Sequence, residues 1–347
     1  MKALRDLSLG TLDPSYCQAE EGSNNAYAPR QGLPALVQLL GARFAVDASE
    51  VLVTAGASMG LTCAFLTCPP ARPILLPSPG FPAYEATLRL LGRSVITYKL
   101  DHNWDANVLR MIEQEIPAAV LLNSPGNPLG NVITDQQRQT VCDVAQACCV
   151  TLILDETYAG LEFSGSASTG PLLGEATGVI RIGSFSKRFA QPGLRIGYVI
   201  AGPKTCRQMT DINWVLAMSP CVSSQLAAAD LLMAEVKNPG RIKNTAGQLE
   251  ASADLAMATL ATHGIAALRP NGGPLLWIEF PGAQSTGAQL AAHCMEHASV
   301  IASPGEAFRR QGPPAIRCSY AIARYDIPAV FDRLGAALAR WKSENSN

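Results

Sequence analysis

The chain has 347 residues, enough to bury a large core and to form about two domains. Its formal net charge is −1, its isoelectric point is near 6.4 and only 16% of its residues are charged, so it lacks the basic surface that nucleic acid or an anionic membrane requires of a partner. Hydrophobic residues make up 48% and aromatics 6%, which suits an Ala/Leu/Val-rich α/β enzyme, and no apolar run approaches the roughly 20 residues that span a bilayer.

The run Met1-Lys2-Ala3-Leu4-Arg5-Asp6 soon meets charge and has no apolar core, so no signal peptide is expected and the cytoplasm is the expected compartment. Residues 1–25 read as polar loop. A turn at Tyr27–Leu36 leads into an apolar-periodic helix through Phe44. Val51–Thr54 reads as a buried strand running into Ala55-Gly56-Ala57-Ser58-Met59-Gly60 and a helix. A strand, a glycine turn and a helix start present backbone N–H groups to an anion.

Pro73–Leu76 is the next predicted strand, followed by Pro79-Gly80-Phe81-Pro82-Ala83-Tyr84 and a helix to Leu91. Strands are predicted at Val95–Leu100 and at Ala118–Leu122, the latter ending in Asn123-Ser124-Pro125-Gly126-Asn127-Pro128. A helix covers about 135–148. Val150–Leu154 is a buried strand ending at Asp155, with Tyr158 just beyond. Val179–Ile182 leads to Ser184-Phe185-Ser186-Lys187, and Arg195–Ala201 is one more strand. Strands alternating with helices imply crossovers and a mostly parallel sheet covered on both faces.

From 203 to 263 the pattern is helical, and 239–263 reads as a long helix bridging to a second domain. Leu275–Phe280, Ser299–Ala302 and Ala315–Ser319 are predicted strands, with helices near 286–297 and 326–342. This tail reads as a small α+β domain. The expected division is residues 1–25 packed on the small domain, 26–245 as the large domain and 246–347 as the small one.

Ten cysteines are present, and those at 63, 142, 148, 149 and 294 fall in apolar or helical runs, where they are expected to be reduced and structural. His293 and His297 share a helix face, but no second cluster completes a metal site and none is expected.

The chemistry-bearing residues end strand after strand, where ligands bind in open α/β sheets. Lysine forms Schiff bases with aldehydes, and two serines with an arginine suit a phosphate. An aldehyde that carries a phosphate describes pyridoxal phosphate. Lys187 would take its aldehyde. Asp155 would hold the ring nitrogen protonated, and Asn127 and Tyr158 would meet the ring hydroxyl. Ala57, Ser58, Ser184, Ser186 and Arg195 would hold the phosphate, and Phe81 or Tyr84 would stack on the ring. Each also has an ordinary role open to it: Asp155 as a helix cap, Asn127 as a turn residue, Phe81 as core, Arg195 as a surface ion-pair partner. Taken together, in this order, the site outweighs those roles.

In these motifs the chain resembles the class I/II aminotransferases of fold type I. The matching pieces are Tyr27-x-Pro29-x-x-Gly32, Thr54–Ser58, Pro79-x-Phe81-x-x-Tyr84, Asn123–Gly130, Asp155-Glu156-Thr157-Tyr158, Ser184–Lys187 with Arg195-Ile196-Gly197, Pro304-Gly305-x-x-Phe308 and Ile316-Arg317-x-Ser319. They span nearly the whole chain. The resemblance implies a large domain on a seven-stranded type of mostly parallel sheet flanked by helices, plus a smaller α+β domain. It implies a homodimer in which Tyr27 reaches the phosphate of the partner's cofactor. It implies that Arg317, with Asn127, holds the substrate α-carboxylate, a task suited to a guanidinium.

The implied reaction moves an amino group between an L-amino acid and a 2-oxo acid by a ping-pong route through a Lys187 Schiff base, with Asp155 and Tyr158 assisting. The same scaffold also supports a lyase, decarboxylase, cyclase or oxidase. A third alternative, a binding or regulatory module, is disfavoured by the presence of Lys187, Asp155, Asn127, Tyr158 and Arg317 together. Two departures stand out: only 26 residues precede Tyr27, and Gln191 stands where the family usually has an apolar residue. By the resemblance, donor specificity would be built by the N-terminal segment, the loop before Tyr27 and the partner subunit; the sequence does not place Glu20, Glu21, Asn24 or Arg30 relative to a substrate.

Overall fold

The structure, a computed structural model, describes residues 27–166 and 178–345. Seven strands form one sheet: β1 (Val51–Thr54), β2 (Ile74–Ser78), β3 (Val95–Lys99), β4 (Ala119–Asn123), β5 (Thr151–Asp155), β6 (Val179–Ser184) and β7 (Gly197–Ala201), in the order β1-β7-β6-β5-β4-β2-β3. The run from β3 to β6 is parallel, whereas β7 is antiparallel to both β6 and β1. The expected mostly parallel sheet flanked by helices is thus present.

Helices cover both faces: α1 (Pro34–Phe44), α2 (Ala57–Thr67), α3 (Pro82–Leu90), α4 (Trp104–Glu115), α5 (Asp135–Ala147), the short α6 (Phe185–Arg188), α7 (Pro203–Ala217) and α8 (Val222–Lys237). Burial on both faces explains why the central strands read as unbroken apolar runs. Leu121, Leu122 and Ile153 are almost wholly buried, each contributing about 1.5–3 kcal/mol. The α2 helix is apolar nearly all round because it lies over β6 and β7, and a Cβ on its Gly60 would stand 3.1 Å from Val199. Thr134 and Gln137 cap α5 reciprocally, each side chain bonding the other's backbone N–H at 3.1 Å.

The long α9 (Gly240–Thr262) joins two cores. Its Ile242 packs beside Leu36, Val53 and Phe185, while its Ala253, Ala256 and Leu260 pack beside Leu276, Ile316 and Phe331. The second core lies on a three-stranded antiparallel sheet of β8 (Leu275–Glu279), β9 (Ser303–Pro304) and β10 (Ala315–Ser319), in the order β8-β10-β9, covered by α10 (Gly287–Ala298) and α11 (Ile327–Asn345).

Two local expectations are corrected and one element is added. The strand expected at Ser299–Ala302 is absent: Ser299 takes a left-handed conformation (φ 54°) that closes α10, Ile301 is exposed, and pairing with β10 begins only at Ser303. Arg195 does not open a strand; it also sits in the left-handed region (φ 53°), and β7 begins at Gly197. The helix α4 was not expected. The N-terminal segment 1–25 lies outside the described residues.

Candidate active site

The carboxyl ends of β1, β4, β5 and β6 lie along one edge of the sheet. Register brings Asn123 opposite Asp155, and sets Gly197 between Thr54 on one side and Ser184 on the other. The turns leaving these ends enclose a cleft of about 480 Å³, floored by the large sheet and roofed by Pro274, Leu275, Arg317 and Ser319.

At one end of the cleft stands the start of α2. Ala57 and Ser58 line it, with Ser184, Ser186 and Arg195 beside them. Gly56 (φ 79°) lets the chain turn into α2 while Arg195 crosses over it; a Cβ at Gly56 would come within 2.7 Å of Arg195 Nη2. Gly197 passes closer still, and a Cβ there would meet the Gly56 carbonyl carbon at 2.5 Å and Ala57 N at 2.6 Å. Two glycines therefore bring a guanidinium, a helix N-terminus and the serine hydroxyls to one point, an arrangement that favours a compact anion. Ser184 caps α6 by accepting from Ser186 N at 3.1 Å.

At the middle of the cleft is Asp155, 4% exposed. Its Oδ2 accepts from Tyr84 Oη at 2.5 Å, and its Oδ1 accepts from Thr157 Oγ1 at 2.6 Å and Thr157 N at 3.0 Å. Burial raises its pKa above the ordinary carboxylate value, against the pull of those hydrogen bonds. Neither oxygen is paired with a basic side chain among the described residues. The neighbouring Glu156 turns to the other side of the sheet, where Arg181 Nη2 meets it at 2.9 Å.

Tyr158 is buried beside Asp155, and desolvation pushes its hydroxyl up to about 12, Arg317 opposing and Asp155 adding. Phe81 and Tyr84 meet edge to face, with ring centroids 5.4 Å apart. Both line the cleft but differ in burial: Tyr84 is 2% exposed and part of the core, whereas Phe81 is half-buried.

Lys187 rides on α6, its side chain exposed along the cleft. The next residue, Arg188, ties this short helix down. Its Nη1 donates to Ala159 O at 2.8 Å, and its Nη2 pairs closely with Glu235, which also holds Arg43 at 3.0 Å. Gly160 makes room, since a Cβ there would collide with the Arg188 guanidinium.

At the far end, Arg317 Nη1 donates to Asn127 Oδ1 at 3.2 Å and Nη2 donates to Ser303 Oγ at 3.0 Å, over the face of Phe308 at 4.8 Å. Its Nε is buried without a hydrogen-bond partner among the described residues. Asn127 is itself set by Asn123 Oδ1, which accepts from Asn127 N at 2.8 Å.

Tyr27 is not part of this cleft. It is 46% exposed and packs edge to face on Trp214, over which Arg30 also stacks at 5.0 Å. Glu20, Glu21 and Asn24 lie outside the described residues. Sequence reasoning missed Thr157, Ser303 and the contact of Phe308 with Arg317. Thr157 was within reach of inference, because a hydroxyl two residues past a buried Asp folds back readily. Ser303 carried no signal, since only strand pairing places it.

Residues 1–334 match the family model described as aminotransferase class I and II. Human tyrosine aminotransferase is 28% identical over 291 residues, covering 77% of this chain and 63% of the human protein, so the match spans less than two thirds of that relative's length. The aromatic-amino-acid aminotransferase 2 of Thermococcus litoralis is 25% identical, covering 97% of this chain and 92% of its own. Among solved structures, an α-aminoadipate aminotransferase from Thermus thermophilus superposes with a TM-score of 0.85 at 24% identity, over 94% of this chain and 86% of that one, a likeness of fold.

Proposed function

The chain belongs to the aminotransferase class I and II family, and from that premise we propose that it is a pyridoxal-phosphate-dependent transaminase moving an amino group between an L-amino acid and a 2-oxo acid by a ping-pong route. One observation carries this reading: Lys187, Asp155, Asn127, Arg195 and Arg317 line a single cleft.

The cleft fits pyridoxal phosphate on three counts. The close approach of Gly197 and Arg195 to Gly56, which a Cβ at either glycine would block, leaves Ala57, Ser58, Ser184, Ser186 and Arg195 at one end of the cleft to hold a phosphate. Asp155 is a buried carboxylate without a cationic partner among the described residues, the group a protonated ring nitrogen requires. Phe81 is the less buried of the two rings, while Tyr84 is held in the core with its hydroxyl on Asp155, so Phe81 is the stacking residue in this reading. Bound there, the cofactor would supply an aldehyde that condenses with amines and a ring that takes up the electron pair left at the amino-acid Cα.

The chain's own residues do the rest. Arg317 receives the α-carboxylate, with Asn127 holding one edge of its guanidinium. Lys187 Nζ, on the wall of the cleft, would act as the general base that takes the proton from Cα. Asp155 would keep the ring nitrogen protonated, and its burial would strengthen that pairing by excluding water. Asn127 and Tyr158 would hold the ring hydroxyl. We further propose that a second copy covers the surface around Tyr27 and Val215, which are 46% and 82% exposed, so that Tyr27 reaches the partner's phosphate. The proposed division near residue 245 falls within α9, whose two halves pack into different cores.

The test is visible absorbance of the purified protein loaded with pyridoxal phosphate, followed as single amino acids are added without a 2-oxo acid. A yellow band that bleaches with one donor and returns with a 2-oxo acid supports transamination and names the donor. Steady consumption of the amino acid with no acceptor present would move the assignment to a lyase or oxidase. A Lys187→Ala protein that still turns over would overturn the role given to that lysine.

A further inference from the structure

We propose that Ser303 is a positioning residue for Arg317, holding the guanidinium in place for the substrate carboxylate without neutralising it. This rests on the transaminase reading and assigns a residue that the site motifs do not contain.

An arginine side chain has many rotamers, and its usefulness to a carboxylate depends on the plane of its fork. Three contacts set that plane here. Asn127 Oδ1 accepts from Nη1 at 3.2 Å, Ser303 Oγ accepts from Nη2 at 3.0 Å, and the Phe308 ring lies 4.8 Å beneath. The two acceptors hold different nitrogens, so together they fix rotation about the guanidinium axis, which neither does alone. The serine arrives by strand pairing: β9 is only two residues long, and its register sets Ser303 opposite Arg317.

Both acceptors are neutral, and no carboxylate among the described residues pairs with Arg317. The positive charge is therefore oriented yet left uncompensated at the cleft. An acidic residue at 303 would orient the arginine equally well but would compete with the substrate for it.

The test uses the cofactor-loaded protein and two probes read by the absorbance shift of the bound cofactor. 2-Methylalanine has a carboxylate and no Cα hydrogen, so it binds without transamination; isopropylamine is the same skeleton lacking the carboxylate. Ser303→Ala is expected to weaken 2-methylalanine roughly tenfold, the scale of one hydrogen bond to a charged group. Isopropylamine binding and cofactor loading should be unchanged, and Ser303→Thr should restore the affinity. With the preferred donor, KM should rise while kcat holds. The proposal is overturned if Ser303→Ala binds 2-methylalanine as the parent does, or if it weakens both probes alike. A parent that takes up no pyridoxal phosphate overturns the transaminase reading, and this assignment with it.

Discussion

Tyr84 Oη donates to Asp155 Oδ2 at 2.5 Å, joining the first turn of α3 to the end of β5. The tyrosine ring is buried, and its hydroxyl is pushed well above its ordinary pKa by desolvation and by the neighbouring carboxylate, so it stays a proton donor. Its effect on Asp155 is the reverse: the hydrogen bond favours the charged carboxylate and offsets part of the cost of burial. Removing the hydroxyl by Tyr84→Phe should raise the Asp155 pKa further. Pyridoxal phosphate affinity should fall by roughly tenfold or more, since a hydrogen bond to a charged group contributes about 1.5–3 kcal/mol. A cofactor titration followed by absorbance measures this, and unchanged affinity would remove Tyr84 from the site.

Asp155 itself should show opposite effects on stability and on catalysis. Its pKa in the folded, cofactor-free chain is raised by burial. The stability it contributes is present below its unfolded value of about 3.9 and is lost as pH rises through the raised folded value. Asp155→Asn removes that loss, so the cofactor-free variant should match or exceed the parent's Tm at neutral pH. Its amino-transfer half-reaction should slow by roughly 10²–10⁴-fold, the scale of about 3–5 kcal/mol for breaking a buried charge pair. Melting curves from pH 4 to 8 and single-turnover rates give the two readings; a Tm drop at neutral pH would contradict the burial argument.

Gly197 is required for lack of space rather than for its backbone conformation. A Cβ there meets backbone atoms of Gly56 and Ala57 at 2.5 and 2.6 Å, and backbone cannot swing aside as a side-chain tip can. Gly197→Ala should cost about 1–3 kcal/mol of stability by overpacking. It should also weaken pyridoxal phosphate more than pyridoxal, because the displaced groups are those proposed for the phosphate. Equal losses for the two ligands would place the strain elsewhere.

The lysine turn has its own acid sensitivity. Burial works to raise the Glu235 carboxyl, but hydrogen bonding and charge from Arg188, with Arg43, outweigh it and hold the pKa below the ordinary value. A depressed carboxylate contributes stability above its unfolded pKa and loses it as pH falls through the folded value. Glu235→Gln should therefore lower Tm at pH 7 and flatten the acid limb of the Tm profile. An acid limb identical to the parent's would show that other carboxylates govern it.

Much of the site was legible because its chemistry ends local strands. Lys187, Asp155 and Asn127 each follow or end a short apolar run, and a parallel sheet brings such ends to one edge, where Arg195 joins them from just before the antiparallel β7. Phe81 and Tyr84 were legible as a pair but not as individuals. Three residues apart at a helix start, they face nearly alike, and only packing sends Tyr84 into the core with its hydroxyl on Asp155. Tyr27 was legible as a motif residue, yet in the single chain it rests on Trp214, away from the cleft.

What the sequence determined by itself is the alternation of strands and helices, and the residue types waiting at strand ends, because hydrophobic period and turn chemistry are local properties. What only the tertiary structure decided are the contacts between distant segments: Arg317 on Asn127 and Ser303, Arg188 on Glu235, Gly197 against Ala57. Those contacts follow from strand register and helix packing, where a displacement of one residue turns a side chain to the opposite face. No pattern within a short window of sequence encodes that choice.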